Sequence, residues 1–535
     1  MPRPFPSRRW TVLLAVAGGL ATETAFPAKS WWPMAYVGIA LILLALRRDS
    51  VPWGWFAGFL AGLGFFLPHL WWANEAVGEP IGWIALSVAE AAMVGVFGAA
   101  WVLVRRIPAV ARSRVLQVLA VAVLWVAVEQ VRARWPFGGF PWGTLAFSQT
   151  DAPLLRLASV GSTVLVSAAV VVIGALLAQA LVHLRGWRVG SASAVLLLAA
   201  ALTFAPWLVP LGTRAESGTI RVGAVQGNVP EQGAEAVSQA RAVTANHAAG
   251  TQALLDHVAP GELDLVLWPE SAADIDPRTD AEVAATVDAA AQSIGAPILL
   301  GTQRYLTDPE DPDVRQRYNE MILWEPGAGS QVSYAKQHPV PFGEYMPHRD
   351  FFRTFTSAVD LITVDMLAGT EMGLVPVQIE RLGRTVPIAV GICFEVAYDE
   401  LIRESVVAGG ELIVIPTNNA SFGLTQESSQ QLAMSRFRAV EHGRAVVHVS
   451  TVGVSGIISP NGVVMESTGH YTAEQMIERL PLRTSLTVSD RLGQWPALAV
   501  GVLAAAAVLA GVVASVGRAR ERRRGARRPR GRGRR

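Results

Sequence analysis

Apolar positions are spread very unevenly along the 535 residues. Seven long apolar blocks, at roughly 10–26, 31–46, 51–72, 81–104, 115–131, 155–182 and 192–211, fill the first part of the chain, and an eighth covers 495–516. A helix needs about 20 apolar residues to cross a hydrocarbon core of about 30 Å, so the pattern predicts a bundle of about eight membrane spans. The first block follows Arg3, Arg8 and Arg9, as the core of a signal peptide would. No small-residue cleavage site follows it and a second apolar block comes at once, so it reads as a retained helix.

From 219 to 488 the period changes. Short apolar runs, "TIRVGAVQGNV", "ELDLVLWPES", "APILLGTQRY", "TVPIAVGICFE" and "ELIVIPTNN", alternate with helical stretches at "AEVAATVDAAAQSIG", "AYDELIRESVVAGG" and "SSQQLAMSRFRAVEHG". Segments "YNEMILWEPG" and "GSQVSYAKQHPVPFGEYMP" read as a hairpin feeding an irregular loop, and "RAVVHVSTVGVSGIISPNG" as a final hairpin. Continuous apolar strands interleaved with helices predict an α/β domain with its sheet buried on both faces. The expected organisation is a membrane domain over 1–217, an α/β domain over 218–488, a last membrane helix over 489–517 and an arginine-rich tail over 518–535.

Composition agrees with this division. A mean hydropathy of +0.34, with 51% hydrophobic and 16% charged residues, is too apolar for an ordinary soluble protein. The net charge of +2 averages a balanced body with a very basic end and excludes little. The placement of arginines says more. Arg3/Arg8/Arg9, Arg47/Arg48, Arg105/Arg106/Arg112/Arg114 and Arg185/Arg188 mark the N-terminus and every second loop, although Arg132 and Arg134 flank another. The positive-inside rule puts both termini in the cytoplasm and, after seven crossings, the α/β domain outside. The tail "RARERRRGARRPRGRGRR" suits anchorage to anionic lipid. Nucleic-acid binding is the other use of such a run, but nothing aromatic is interleaved with it.

Three polar residues stand at strand ends in the α/β domain: Glu270 ends one strand, Lys336 a hairpin strand, and Cys393, the only cysteine of the chain, another. Reactive groups at strand ends gather at one edge of such a sheet. Together they supply a nucleophile, a base for its proton and a cation for a developing oxyanion. A lone cysteine is equally at home as a small buried hydrophobe. One cysteine excludes an internal disulfide and any cysteine-based metal cluster, no His/Asp/Glu group has ligand spacing and no glycine-rich phosphate loop is present, so no cofactor is expected.

At these words the chain resembles the nitrilase superfamily: "LWPES", "YAKQHPVPFGEYMP", "GICFE" and "TNNASFG" with the helix after it. That family has a Glu–Lys–Cys site on an αββα sandwich. Seven spans before such a domain and one after it, with "EQVRARWPFGGFPWGTLAFSQ" in the membrane half, resemble the apolipoprotein N-acyltransferase family. The resemblance implies Glu270 as general base, Lys336 as oxyanion clamp and Cys393 as nucleophile. Glu344 and Glu395 match further acids at the site, and the Phe394 N–H is the second implied oxyanion donor. Phe394 stands where Tyr is common, and Ser421 replaces an aromatic often found there. Both departures bear on how lipid packs at the site. Glu129, Arg132, Trp135 and Trp142 are candidates for lipid or substrate contact, with His69, Glu75 and Glu90 weaker ones. Asn418 and Asn419 are expected to shape a loop, and Arg436, Arg438 and Glu441 to form ion pairs behind the site.

The implied reaction is a ping-pong acyl transfer from a phospholipid, through a Cys393 thioester, to the α-amine of an S-diacylglyceryl cysteine on an apolipoprotein. The expected setting is the bacterial cytoplasmic membrane, with the protein a multi-pass monomer. A membrane-tethered amidohydrolase using the same three residues, and a transporter or scaffold carrying an inactive domain, are the competing readings.

Overall fold

A computed structural model of the chain describes residues 7–229, 236–307 and 315–526. Arg3 and the tail beyond residue 526 lie outside them. Each apolar block forms a helix: Arg8–Glu23, Pro33–Ala45, Val51–His69, Pro80–Val104, Arg114–Arg132, Ala158–Arg185, Val189–Phe204 and Trp495–Ala526. Among the described residues six helices are long and apolar enough to cross a membrane, against the eight spans expected. The other two, Arg8–Glu23 and Pro33–Ala45, have 16 and 13 residues. At 1.5 Å per residue the second reaches only about 20 Å. Pro33 starts it and the polar Arg47–Arg48 pair follows its end.

In lipid, helices associate by close packing of small residues rather than by a hydrophobic force. Helix Val51–His69 carries Gly54, Gly58 and Gly62 four residues apart on the face toward Pro80–Val104. A Cβ at Gly58 would lie 2.4 Å from the Val94 carbonyl oxygen, and one at Gly62 2.5 Å from the Ala91 Cα. The two backbones therefore touch along the seam. Helix Ala158–Arg185 is broken at Gly161 and Ser162, the latter at φ +54°.

The α/β domain contains β1 (Thr219–Gln226), β2 (Leu265–Leu267), β3 (Ile298–Thr307), β4 (Arg315–Glu325), β5 (Gly329–Ala335), β6 (Asp365–Met366), β7 (Leu374–Ile379), β8 (Arg384–Val390), β9 (Leu412–Thr417), β10 (Val446–Ser450), β11 (Gly456–Ile458), β12 (Val464–Ser467) and β13 (Glu474–Pro481). They build two sheets, ordered β13-β1-β2-β3-β4-β5, with β6 beside β4, and β12-β11-β10-β9-β8-β7. Neighbours β1, β2 and β3 run parallel, as do β8, β9 and β10. The sheets face each other across one core that includes Val222, Leu267 and Met321 from one and Val377, Ile388 and Val447 from the other. Helices Ala236–Leu254 and Ala281–Ile294 pack on the first sheet. Helix Glu427–His442 lies between the second sheet and the membrane bundle.

The expected hairpins β4–β5 and β10–β11 are both present and antiparallel. The second is not the last element. The chain continues through β12 to β13, which pairs with β1 from Thr219↔Pro481 to Gln226↔Glu474.

Candidate active site

Local chemistry explains how three strand ends deliver side chains to one place. After β2, Pro269 has no N–H for the ladder and the chain turns at Glu270, with Ser271 at φ +57°. Gly301 of β3 lies under this turn, where a Cβ would be 2.7 Å from the Glu270 Cα. Lys336 directly follows β5, and its N–H donates to the Asn319 carbonyl at 2.8 Å. Cys393 opens a short 3-10 turn, Cys393–Ala397, at φ +55°, a conformation uncommon outside glycine.

The structure brings these three together. Lys336 Nζ is fully buried, 2.6 Å from Glu344 Oε1 and 3.6 Å from Glu270 Oε1. The Glu270 charge acts on the Cys393 thiol, and Glu270 Oε1 accepts from Asn319 Nδ2 at 2.5 Å and its Oε2 from the Asn418 N–H at 2.8 Å. Gln431 Nε2 donates to Cys393 Sγ at 3.4 Å. Cys393 as a residue is partly buried.

Burial dominates the electrostatics. It pushes the Cys393 thiol well above its ordinary range, and the Glu270 charge adds to this while Lys336 opposes it. It raises the Glu270 carboxyl too, against the pull of Lys336. Burial alone would depress the Lys336 ammonium, but Glu344 and Glu270 outweigh it and hold the charge firmly in place. The resting site therefore has a neutral thiol, a fixed cation and a base of enhanced proton affinity.

Glu395 joins the segments that carry the lysine and the thiol. Its Oε1 accepts from the Gln337 N–H at 2.7 Å and the His338 N–H at 3.1 Å, just beyond Lys336. Its Oε2 accepts from the Ile392 N–H at 2.7 Å, just before Cys393, and the Tyr334 hydroxyl lies 2.9–3.0 Å from both oxygens. Glu344 is held in turn by the Val340 N–H at 2.7 Å. The Phe394 ring stacks on Trp142 and Phe140 of the membrane half, with centroids 5.3 and 5.5 Å away.

The membrane-half candidates divide. Arg132 is buried and donates to Glu90 at 2.9 Å and to the carbonyls of Phe140 and Trp142 at 3.0 and 2.7 Å. Glu129, also buried, accepts from the Trp125 indole and the Leu145 N–H. These two residues fold the loop that carries Trp142. Trp142 Nε1 donates to Gln430 at 2.6 Å, and Gln430 contacts His69. Trp135 and Glu75 are exposed and stand away from these contacts. Behind the site Arg436 pairs with Asp151, and Arg438 pairs with Asp399 and Glu441. Asp399 accepts from the hydroxyls of Ser162 and Thr163 at the helix break, at 2.9 and 2.5 Å.

Sequence reading missed Asn319, Thr417, Gln431 and Glu427. Gln431 Oε1 accepts from Thr417 Oγ1 at 2.8 Å and from Asn419 Nδ2 at 2.9 Å, which aims its amide N–H at the sulfur. Asn419 Nδ2 also donates to Glu427 at 2.7 Å. Burial, opposed by that bond and aided by the Glu270 charge, pushes the Glu427 carboxyl up to about 8. Among the described residues no cluster of His, Cys, Asp and Glu is arranged to hold a metal.

Comparison with known proteins bears on the whole frame. Residues 18–176 match the family model "Apolipoprotein N-acyltransferase N-terminal domain", and residues 221–485 match "Carbon-nitrogen hydrolase". A Mycolicibacterium smegmatis protein named apolipoprotein N-acyltransferase is 37% identical, covering 92% of this chain and 84% of its own. One of the same name from Azotobacter vinelandii is 30% identical over 92% of this chain and 93% of its own. An amidase from Nesterenkonia sp. overlays with a TM-score of 0.34 at 15% identity, over 50% of this chain and 93% of that one.

Proposed function

The chain belongs to the apolipoprotein N-acyltransferase family, and from that premise we propose that it moves one acyl chain from a phospholipid to a lipoprotein N-terminus through a thioester on Cys393. The observation that carries this reading is the meeting of Cys393 with the buried Glu270 and Lys336 in a single cluster.

In the first half, Glu270 takes the thiol proton as Sγ attacks the ester carbonyl carbon. The oxyanion lies against Lys336 and the Phe394 N–H, which belongs to the first turn of a 3-10 helix and so is not used within it. One such donor is worth about 3–4 kcal/mol in the transition state. The C–O bond breaks, Glu270 returns the proton to the departing alkoxide, and a lysophospholipid leaves. In the second half the α-amine of an S-diacylglyceryl cysteine attacks the thioester. Glu270 accepts its proton, the C–S bond breaks and the sulfur recovers a proton. A thioester is a better acyl donor than the amide that replaces it, so this half runs downhill. The covalent intermediate divides a hard transfer into two easier ones.

The membrane setting supports a lipid donor, since both reactants are anchored in a bilayer. The six apolar helices fit a membrane-bound bacterial enzyme. Arginines on alternate loops favour cytoplasmic termini and a catalytic domain, near 218–488, on the outer side. One chain supplies every group this reaction would use, which supports action as a monomer.

The test is reconstitution of the purified chain with phospholipid and a synthetic diacylated lipopeptide. Intact mass should report an adduct of one acyl chain on the enzyme, absent in Cys393→Ala, and then an N-acylated peptide. Release of free fatty acid with no N-acyl product would instead show a hydrolase.

A further inference from the structure

A cavity of about 480 Å³ opens at the end of the bundle remote from Cys393. Such a volume suits a small ligand or headgroup. Its rim is cationic. Arg47, Arg105, Arg106, Arg114 and Arg518 line it, with Asp49 as the one carboxylate among its described residues. These arginines come from four separate segments: the turn after Pro33–Ala45, the end of Pro80–Val104, the start of Arg114–Arg132 and the end of the last helix. The sidedness bias places arginines on this face, but it does not require four segments to aim them at one hole.

Arg105 and Arg518 are held in place by carbonyls, while Arg106 is paired with the one carboxylate. Arg105 donates to the carbonyls of Leu46, at 2.7 Å, and Arg48. Arg106 takes Asp49 at 2.7 Å and Ser515 at 3.1 Å, while Arg518 is tied to the Arg106 carbonyl at 2.8 Å. Carbonyl partners fix direction and leave the charge uncompensated. Deeper in, the wall becomes apolar, with Leu43, Val121 and Ala175, and continues between the helices. A positively charged mouth over an apolar shaft matches a molecule with an anionic head and a hydrocarbon tail.

We infer that this cavity binds the headgroup of an anionic phospholipid, with an acyl chain against the apolar wall, as a resident lipid distinct from the acyl donor. Its assignment to the cytoplasmic leaflet rests on the topology proposed above; its preference for an anionic head does not. The phosphate is the recognised group, and a free phosphate offers the same oxygens. The apolar shaft favours the lipid.

The full-length protein in detergent is incubated with phosphatidylglycerol or phosphatidylcholine of the same chains, and retained lipid is read by native mass spectrometry. Wild type should retain phosphatidylglycerol about tenfold more than phosphatidylcholine. The double variant Arg47→Gln/Arg114→Gln should lose that preference, whereas Arg185→Gln/Arg188→Gln, on the same face but outside the cavity, should keep it. Saturating inorganic phosphate should not displace the lipid. Equal retention of the two lipids in wild type would overturn the proposal. So would equal loss in both double variants, which is general surface attraction, or displacement by inorganic phosphate, which is a soluble-anion site. A photoactivatable phosphatidylglycerol on the wild-type chain requires no variant to fold. Its adducts should fall on peptides around 101–121, and adducts confined elsewhere would count against the site.

Discussion

The Trp142 indole lies flat on the Phe394 ring, 5.3 Å between centroids and 6° from parallel, so a side chain of the membrane half rests on the residue next to the thiol. The contact ties the position of the sulfur to the loop folded by Arg132 and Glu129.

Trp142→Ala removes both this stack and the bond to Gln430. A misplacement of about 1 Å at a reacting group can cost about 100-fold. Acyl-enzyme formation, followed by intact mass over time, is expected to slow by tenfold or more. Trp142→Phe keeps a ring on Phe394 and should lose much less.

Cys393→Ala should abolish both the adduct and the product. Glu270→Gln retains an acceptor for Asn418 but has no place for a proton. Positioned bases contribute about 10²–10⁴-fold, so single-turnover rates should fall within that range while the thiol remains present by mass.

Lys336→Met leaves Glu270 and Glu344 facing each other with no cation between them. Breaking a buried pair this way costs about 3–5 kcal/mol. Thermal melting should drop clearly. Lys336→Met/Glu344→Gln should recover part of the stability and none of the activity, because the oxyanion still lacks its donor.

Glu395→Gln preserves shape but turns one acceptor into a donor. Whichever way the amide faces, its NH₂ meets a backbone N–H, at Ile392 or at Gln337 and His338. Each buried group left unpaired costs about 1–3 kcal/mol. Lower melting and slower acylation should appear together, with Glu395 acting as a positioning residue.

The Glu427 carboxyl is raised to about 8 by burial. The folded state thus keeps a proton that the unfolded chain gives up near its ordinary range. This contribution is complete at low pH, declines as pH climbs from about 4.5 and is gone above about 8. Each tenfold change in proton affinity is worth about 1.4 kcal/mol. Glu427→Gln mimics the protonated form, so its stability relative to wild type should grow over that window and then level off. Melting curves at several pH values would check this, and a constant difference would refute it.

Much of this site was legible because its groups sit where strands stop. Glu270 and Cys393 each break an apolar run whose burial is obvious, and Lys336 ends a hairpin strand, so the pattern itself draws attention to them. Gln431 and Asn319 gave no such signal. They are ordinary amides whose function exists only once helix Glu427–His442 and strand β4 have packed around the sulfur and the base. Arg132 and Glu129 were noticed as charges among apolar residues. Their partners, the carbonyls of Phe140 and Trp142 and the Leu145 N–H, are backbone groups that no side-chain pattern reveals. Strand β13, "EQMIERLP", is charged and half-exposed, so its apolar period is weak, and only pairing with β1 defines it.

That last pairing has a mechanical meaning. Because Thr219 lies across from Pro481, the sandwich leaves the bundle and rejoins it through one doorway, latched by an eight-residue zipper. Tilt or stretch of the flanking helices loads this zipper at the sheet margin, while the Trp142–Phe394 stack passes movement of the bundle to the loop beside the sulfur. The α/β domain is thus fastened to the bundle at two places, its hem and the residue beside the thiol.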